Sequence, residues 1–334
     1  MSEKQRPLGS GFTPASTARE VLAGVDLAGR NVVITGGHAG IGLAVTTALV
    51  EAGASVTSVS RDPDRAARAL AGLGGSLGDA PGTVATDRLD LLDPASVDAF
   101  TGRWLATGRP LHILVNGAGA PGPPERTVDA RGYEVQFATN HLGHFQLTRG
   151  LLPALRAARG ARVVNVTSGA QRLTGIRWDD PHFTTGYEAH LAYAQSKTAN
   201  VLFTVELDRR WAPHGIRGYA PHPGIVVGTA LNGAAGEESL RAMGLIDAEG
   251  RPIIDPARER KTPEQGAATI VFAAASPLLA GVGGVYLRNS DISELDDEDR
   301  PFDPVEPVST VMSRSLDPES AQRLWALSEQ LTAA

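Results

Sequence analysis

Apolar, β-branched segments recur along the chain, and the stretches between them have helical periodicity. Near-continuous apolar strands that alternate with helices are typical of a parallel sheet covered on both faces, because each crossover connection must pass over a face. The pattern therefore predicts an α/β domain that is doubly wound around a mainly parallel sheet. The predicted strands are 31–35, 55–60, 83–89, 112–116, 162–167, 218–221 and 284–287.

Three regions follow from the same pattern. Thr17 and Glu20 fit a capping box that opens a short helix ahead of the first strand. The Gly-rich stretch 72–82 predicts a surface loop, and 317–331 predicts an amphipathic helix. The regions are an N-terminal arm at 1–28, a catalytic domain at 29–290 whose irregular segment 228–262 is expected to be a substrate lid, and an acidic C-terminal segment with its helix at 291–334.

Composition narrows the classes of function. Of the 334 residues, 42% are hydrophobic and 20% are charged, which is normal for a well-packed globular protein. The net charge of −6 provides no basic surface for nucleic acid or anionic lipid, so we expect neither as a partner. The absence of cysteine excludes disulfides, thiol nucleophiles and cysteine-based metal sites. With a polar N-terminus and no run of about 18 apolar residues, a cytoplasmic protein without a membrane span is expected.

A glycine-rich turn, T-G-G-H-A-G-I-G at 35–42, follows the first strand and opens a helical stretch. Glycines let a backbone turn tightly and approach a pyrophosphate, whose charge is met by free N–H groups at the helix start. The alternative is a tight turn that binds no ligand. A second glycine-rich turn follows the fourth strand, at the edge where open α/β sheets bind ligands. The predicted cofactor contacts are Thr35, Gly36, Gly40, Ile41 and Gly42 in the first turn and Asn116, Ala118 and Gly119 in the second.

The end of the second strand carries Ser60 and Arg61, where an NAD-selective site would place an acidic residue for the ribose 2′-hydroxyl. A hydroxyl followed by a guanidinium can accept the 2′-phosphate of NADP, because the planar donor fork of arginine suits phosphate. In the alternative interpretation Arg61 is a solvated surface residue and Asp62 binds the ribose. We expect NADP(H), with NAD(H) as the lesser alternative.

Tyr193 and Lys197 stand at positions i and i+4, so they share one face of a predicted helix. A tyrosine has an unperturbed pKa of about 10, and a neighbouring cation lowers it toward the neutral range. Lys197 is one of only three lysines in the chain, with Lys4 and Lys261. Ser168 follows the fifth strand and emerges at the same sheet edge, where its hydroxyl can hold a substrate carbonyl. Alone, the pair would be ordinary surface residues; together with Ser168 it predicts a catalytic site.

Taken in order, these motifs resemble the short-chain dehydrogenase/reductase family. The likeness covers about residues 29 to 287 and includes the turns at 35–42 and 116–119, Asn140, Ser168, Tyr193-x-x-x-Lys197 and Pro223-Gly224. Segments 12–17, 140–145, 195–200 and 222–224 resemble the branch that contains retinol dehydrogenases and WW-domain oxidoreductases.

The resemblance implies a Rossmann-type fold and roles for further residues. It places Asp90 at the adenine, Asn140 in a water-linked proton relay, and Lys197 on the nicotinamide ribose, with Leu91 as a further cofactor contact. Pro223 and Gly224 are implied to contact the cofactor as well. It also implies that subunits pair through helices, although the sequence leaves the oligomeric state open.

Three departures from the family pattern stand out. Gly117 replaces the usual second asparagine, and the insert between Ser168 and Tyr193 is longer than in the shortest family members. Thr229 lies one residue later after Pro223-Gly224 than the pattern expects, which puts its contact with the nicotinamide amide in doubt. None of these departures removes a reacting group.

Two other groups of residues also have simpler interpretations. His141 and His144, with Asp179, Asp180 and His182 further on, raise a metal site, but no third ligand stands at a recognisable spacing, so no metal is expected. The aromatic residues Trp178, Phe183 and Tyr187 fit a substrate pocket and an ordinary core equally well.

The sequence predicts an oxidoreductase that moves a hydride between a nicotinamide and a carbonyl or alcohol of a small, apolar substrate. Tyr193 serves as the general acid and base in this interpretation, Ser168 orients the carbonyl, Lys197 lowers the pKa of Tyr193, and Asn140 relays protons. A cofactor-binding regulatory or scaffold protein of the same fold, or an epimerase or dehydratase that uses a bound nucleotide, are the alternatives.

Overall fold

The computed structural model describes residues 4–72, 80–120, 122–229, 236–300, 303 and 306–333. Within these ranges eight strands form one sheet in the order β3-β2-β1-β4-β5-β6-β7-β8, with every pair parallel except β7 and β8. From β1 the chain adds β2 and β3 on one side and then β4 and the later strands on the other. This change in the order of the strands opens a crevice between β1 and β4 at the carboxyl edge. The strands are β1 Asn31–Thr35, β2 Ser55–Ser60, β3 Thr83–Arg88, β4 Ile113–Asn116, β5 Ala161–Asn165, β6 Ile216–His222, β7 Val285–Arg288 and β8 Asp291–Ile292.

Helices connect the strands over both faces of the sheet, so the predicted doubly wound Rossmann-type fold is confirmed. Their starts follow the local sequence: Thr17 and Thr262 each complete a capping box, and proline occupies the first turn of several helices. The helices are α1 Ala18–Val21, α2 Gly40–Glu51, α3 Pro63–Ala71, α4 Pro94–Ala106, α5 Gly143–Gly150, α6 Leu152–Ala157, α7 Ala189–Trp211, α8 Glu237–Ala242, α9 Pro263–Ala275 and α10 Pro318–Thr332.

Shorter helical turns lie between these elements. A π-helical turn at Ala138–Leu142 follows the single helical turn Val135–Phe137 and leads directly into α5. The 3-10 turns are Gly169–Arg172, Ala212–His214, Pro256–Arg258, Pro277–Leu279 and Ser313–Leu316. Of the predicted lid, 230–235 lies outside the described residues, as does 73–79 of the predicted surface loop. None of the helices in the described ranges is long and apolar enough to cross a membrane.

The sheet separates two hydrophobic cores. Val32 and Ile34 of β1 pack with α1, α2 and α9, whereas Val33 faces α4, α5, α6 and α7 on the other side. This division follows from the alternation of side chains along a strand. All three side chains are at most 1% exposed, so β1 lies at the centre of the molecule.

The N-terminal arm covers the edge of the sheet formed by β7 and β8. The amide of Gln5 donates to the carbonyls of Tyr286 and Ser293, at 2.8 Å each, and its oxygen accepts from the Tyr286 N–H at 3.0 Å. The carboxylate of Asp291 accepts three consecutive backbone amides of the arm, from Leu8 to Ser10. The arm therefore satisfies polar groups that an open sheet edge would expose.

The C-terminal helix α10 packs on α5 and α7 through one indole. The ring of Trp325 lies 5.0 Å from that of Phe145, 5.8 Å from that of Phe203 and 5.6 Å from that of Trp211, between ring centroids. The guanidinium of Arg210 lies 4.6 Å from the same indole. Trp325 is 4% exposed, so α10 is part of the second core.

We predict that Trp325→Ala lowers the free energy of unfolding by about 3–5 kcal/mol, because it removes a large buried aromatic side chain and leaves a cavity. Urea denaturation followed by circular dichroism measures the change. Gln322→Ala, at an exposed position of the same helix, is the control and should shift stability by less than about 0.5 kcal/mol. Equal stability of the two variants would contradict the role assigned to α10.

Candidate active site

The glycine turn after β1 has the geometry of an anion cradle. Helix α2 begins at Gly40, and Ala39 before it provides no side-chain cap, so the first N–H groups of the helix have no side-chain partner. Gly36 has φ +73° and Gly40 has φ +50°, which favour glycine. A Cβ on Gly42 would stand 2.2 Å from the carbonyl oxygen of Gly36. These amides and this open backbone fit the pyrophosphate of a dinucleotide.

Thr35 lies beneath the turn rather than at its surface. Its hydroxyl oxygen accepts the N–H groups of Gly117, at 2.9 Å, and Ala118, at 3.0 Å. With both lone pairs used, its hydrogen is donated to Nε2 of His144 at 2.8 Å. His144 therefore carries its proton on Nδ1 and donates it to the carbonyl of Asn140 at 3.0 Å. Burial lowers the pKa of His144 to about 4, which keeps the ring neutral.

Asn116, predicted as a cofactor contact, is 1% exposed and lies behind the site. Its amide donates to Oγ1 of Thr148 at 3.0 Å and to Oδ1 of Asn165 at 2.7 Å, and Asn165 donates to Oγ1 of Thr204 at 2.9 Å. Sequence reasoning did not find the last three residues. The signal for Thr148 and Thr204 is a threonine within an apolar helical stretch, and in the structure each hydroxyl also bonds the carbonyl four residues earlier. This network fixes β4 and β5 to α5 and α7.

The structure brings Ser168, Tyr193 and Lys197 together at the carboxyl edge. Tyr193 and Lys197 lie on α7, and the Lys197 ammonium is 5.5 Å from the centroid of the Tyr193 ring. Ser168 caps the turn Gly169–Arg172, its oxygen accepting the Ala170 N–H at 3.2 Å, and its hydroxyl is close enough to Tyr193 to lower the pKa of the phenol. Strand β5 ends at Asn165, two residues before its predicted end, so Ser168 lies in the loop beyond the strand.

Electrostatics at Tyr193 differ from the sequence prediction. Burial raises the pKa of Tyr193, and the hydrogen bond with Ser168 lowers it by less, so the phenol is neutral at pH 7. The expected lowering by Lys197 does not decide the outcome, because removal from water penalises the phenolate more strongly. Burial also lowers the pKa of Lys197 to about 8, which leaves it mostly protonated at pH 7.

Lys197 retains capacity for a ligand. The residue is 3% exposed, and its ammonium donates to the carbonyl of Val166 at 3.2 Å. No second hydrogen bond of this group is found among the residues that the structure describes, and an ammonium has three hydrogens. Two donors of a buried cation are thus left for an outside partner, which fits the hydroxyls of a ribose.

Asn140 joins the second glycine turn to α7. Its Oδ1 accepts the Ala120 N–H at 2.8 Å, and its Nδ2 donates to Oγ of Ser196 at 3.0 Å. Ser196 in turn donates to the carbonyl of Tyr193 at 2.7 Å. The π-helical turn at Ala138–Leu142 presents Asn140 in this position. Its predicted part in a proton relay remains a prediction.

Two residues at the end of β2, Arg61 and Asp62, are candidates to bind the adenine ribose or its 2′-phosphate, and their contacts differ. Asp62 caps α3, its Oδ1 accepting the Arg65 N–H at 2.9 Å, and Ser60 donates to the carbonyl of Asp62 at 2.8 Å. Arg61 is exposed, and within the described part of the chain its guanidinium has neither a hydrogen bond nor an ion pair. The cap gives Asp62 a structural role, whereas Arg61 is available to a phosphate.

Asp90 and Leu91 form a turn directly after β3. Oδ1 of Asp90 accepts the Leu92 N–H at 3.0 Å, and the Asp90 N–H donates to Ser96 at 2.9 Å. A Cβ on Gly143 would stand 2.3 Å from the carbonyl of Leu91, so α5 passes close over this turn. The turn opens on the same sheet edge as the glycine cradle.

Pro223 and Gly224 follow β6 at the same edge. Gly224 has φ +83°, and a Cβ there would stand 2.9 Å from the carbonyl of Glu259 and from Cδ of Lys261. The methyl group of Thr229 lies 3.3 Å from where a Cβ of Gly40 would be, which places Thr229 against the glycine turn despite its displaced position in the sequence.

The insert before α7 contributes mainly to packing. Phe183 is 1% exposed and Trp178 lies beneath the Arg323 guanidinium, 4.3 Å away, so both are structural. Tyr187 donates to the carbonyl of Pro123 at 3.0 Å.

His141 bonds Oγ of Ser328 at 2.7 Å. No group of three or more potential metal ligands occurs in the portion of the chain that could be searched.

Comparison with known proteins identifies the family. The model of the short chain dehydrogenase family matches residues 30–239. The chain belongs to the short-chain dehydrogenase/reductase family. This dehydrogenase/reductase is 45% identical to a Streptomyces lividans protein named "Probable oxidoreductase", over 90% of this chain and 97% of the relative. It is 34% identical to mouse retinol dehydrogenase 12, over 96% and 93% respectively. The predicted branch is confirmed, and this is an oxidoreductase of the family.

Solved structures agree with the fold of this dehydrogenase/reductase. An uncharacterised protein from Mycobacterium paratuberculosis is 31% identical, with a TM-score of 0.67 over 96% of this chain and 98% of that one. The Pseudomonas aeruginosa RhlG/NADP active-site complex is 26% identical, with a TM-score of 0.59 over 79% and 95%.

We predict that Gly42→Ala abolishes tight binding of NADPH and NADH, because the added methyl group would press into the Gly36 carbonyl at 2.2 Å and force the cradle open. Fluorescence titration of each nucleotide measures the loss. Gly102→Ala is the matched control: this helical glycine has nothing within 4 Å of the added Cβ, so binding should be unchanged and stability should rise by up to about 1 kcal/mol. Unchanged nucleotide affinity of Gly42→Ala would show that the cradle is not the binding site.

Proposed function

We propose that this protein is an NADP(H)-dependent carbonyl reductase or alcohol dehydrogenase with Tyr193 as its general acid and base. The observation that carries the proposal is the meeting of Ser168, Tyr193 and Lys197 beside an uncapped glycine cradle. A phenol, a hydroxyl and an ammonium in that position can bind a carbonyl oxygen and exchange a proton with it.

In this mechanism the bound nicotinamide supplies or accepts the hydride. Ser168 donates a hydrogen bond to the substrate oxygen and holds the carbonyl carbon toward the cofactor. Tyr193, as the neutral phenol, gives its proton to that oxygen as negative charge develops there, and an alcohol leaves. Lys197 would hold the ribose hydroxyls, and its charge would stabilise the phenolate that remains. Oxidation of an alcohol follows the same steps in reverse.

A chain of hydrogen bonds holds the backbone of Tyr193 in place. Asn140 ties Ser196, and through it the backbone of Tyr193, to the turn at Ala120. We retain the proposal that Asn140 also helps to return protons to Tyr193.

Selectivity for NADP rests on the end of β2. Arg61 is exposed there, Ser60 stands beside it, and Asp62 is used as a helix cap. A guanidinium binds a phosphate with charge-assisted hydrogen bonds, whereas no comparable gain exists for a ribose hydroxyl. The NADP complex of the structurally similar RhlG supports the same cofactor.

We predict that Tyr193→Phe lowers kcat by about 10²- to 10⁴-fold, the usual contribution of a general acid. NADPH oxidation with 4-nitrobenzaldehyde, hexanal and cyclohexanone as probes measures turnover, and nucleotide fluorescence measures NADPH binding, which should be nearly unchanged. Tyr187→Phe is the control, since it removes only a hydrogen bond to Pro123. If Tyr193→Phe turns over as fast as the unmodified protein, Tyr193 is not the general acid and the mechanism is rejected.

We predict that Arg61→Ala weakens NADPH binding by about 10- to 100-fold, because a hydrogen bond to a charged group contributes about 1.5–3 kcal/mol. The KM for NADH should barely change, since NADH lacks the 2′-phosphate. Arg68→Ala, at another exposed position of the adjacent helix α3, is the control. Equal effects of Arg61→Ala on the two cofactors would reject the assignment of Arg61 to the phosphate.

A further inference from the structure

A buried ionic cluster lies under the Pro223-Gly224 turn, outside the groups that the mechanism uses. It consists of His222, Glu259, Lys261, Arg288 and Ser309. His222 and Glu259 are each 4% exposed, and Lys261 and Ser309 are each 2% exposed. Charged groups are rarely buried to this extent without a specific arrangement of partners.

His222 connects this cluster to the loop that carries Ser168. The N–H of Gly169 donates to Nδ1 of His222 at 3.1 Å. Since a backbone N–H can only donate, Nδ1 is the unprotonated nitrogen of the ring. Burial lowers the pKa of His222 to about 4, so the neutral ring carries its proton on Nε2. That nitrogen faces Oε2 of Glu259 at 3.7 Å.

Glu259 joins two further segments to His222. Its Oε1 accepts the hydroxyl of Ser309 at 2.6 Å, and its backbone carbonyl accepts the Ile225 N–H at 2.7 Å. Lys261, 3.9 Å from Oε2, donates to Asn289 at 2.6 Å. One carboxylate therefore connects the end of the predicted lid, the C-terminal segment and the strand that leads into Pro223-Gly224.

The C-terminal segment also touches the serine loop directly. A Cβ on Gly169 would stand 2.9 Å from Cβ of Ser309, so the backbone of Gly169 lies against that residue. Gly169 is thus held by a hydrogen bond on one side and by packing on another. Its neighbour Ser168 is the residue whose hydroxyl has to meet the substrate oxygen.

We propose that His222 is a positioning residue for Ser168, acting through the Gly169 N–H, and that Glu259 keeps His222 in place by joining segments 255–262 and 306–311 to it. The proposal rests on the proposed function, which gives the orientation of Ser168 its importance. The serine hydroxyl is set correctly only while both segments are docked.

Two substitutions separate the positioning role from a structural one. His222→Leu removes the acceptor for Gly169 while preserving an apolar side chain of similar size. His222→Asn retains an oxygen close to the place of Nδ1, so it should restore the hydrogen bond. His214→Leu, at an exposed position, is the matched control for replacing a histidine with leucine.

With NADPH and 4-nitrobenzaldehyde, His222→Leu should lower kcat by about 10- to 100-fold with a smaller change in the KM for NADPH, since misplacing a reacting group by about 1 Å costs that much. His222→Asn should recover most of kcat. Amide hydrogen exchange of the peptide that contains Gly169 should be faster in His222→Leu and near normal in His222→Asn. Ser309→Ala should speed the same exchange to a lesser degree.

Two results would overturn the proposal. The first is that His222→Leu keeps full kcat and a protected Gly169 amide. The second is that His222→Asn loses as much kcat and as much melting temperature as His222→Leu does. Failure of the proposed function looks different, because then neither the unmodified protein nor Tyr193→Phe consumes NADPH with any of the carbonyl probes. In that case hydrogen exchange at Gly169 still shows whether His222 holds the loop that carries Ser168.

Discussion

The buried hydroxyl of Thr35 is the constraint on which the carboxyl edge of the sheet depends. It receives the N–H groups of Gly117 and Ala118 and gives its own proton to His144, which bonds the carbonyl of Asn140. A buried donor without a partner costs about 1–3 kcal/mol, so none of these groups can shift alone. The first strand, the second glycine turn and the π-helical turn are therefore fixed to one another, and the candidate site is built on them.

Much of this architecture follows from local sequence. The strands 31–35 and 55–60 are found where the apolar pattern predicts them, because burial on both faces of a parallel sheet leaves a continuous apolar signature. Tyr193 and Lys197 share a helix face because positions i and i+4 do so in any helix. Ser168 meets them because the carboxyl ends of parallel strands open on one edge.

What the sequence could not predict depends on contacts between distant residues. Strand β8 has only two residues, too few for a pattern, and it is stabilised by pairing with β7 and by the arm. The chain of contacts from Gly169 through His222 and Glu259 to Ser309 joins segments that no local motif relates. The pKa of Tyr193 was predicted to fall because of the neighbouring cation, whereas burial raises it.

That burial gives the proposed mechanism a direction for its proton. The pKa of Tyr193 is raised above its ordinary value of about 10, while that of Lys197 falls to about 8. A proton on Lys197 is therefore more acidic than one on Tyr193, although both groups are protonated at pH 7. In the proposed mechanism the buried phenol therefore keeps its proton until a substrate oxygen accepts it. The ammonium 5.5 Å from the ring centroid then stabilises the phenolate by its charge, and the low exposure of both groups strengthens that attraction.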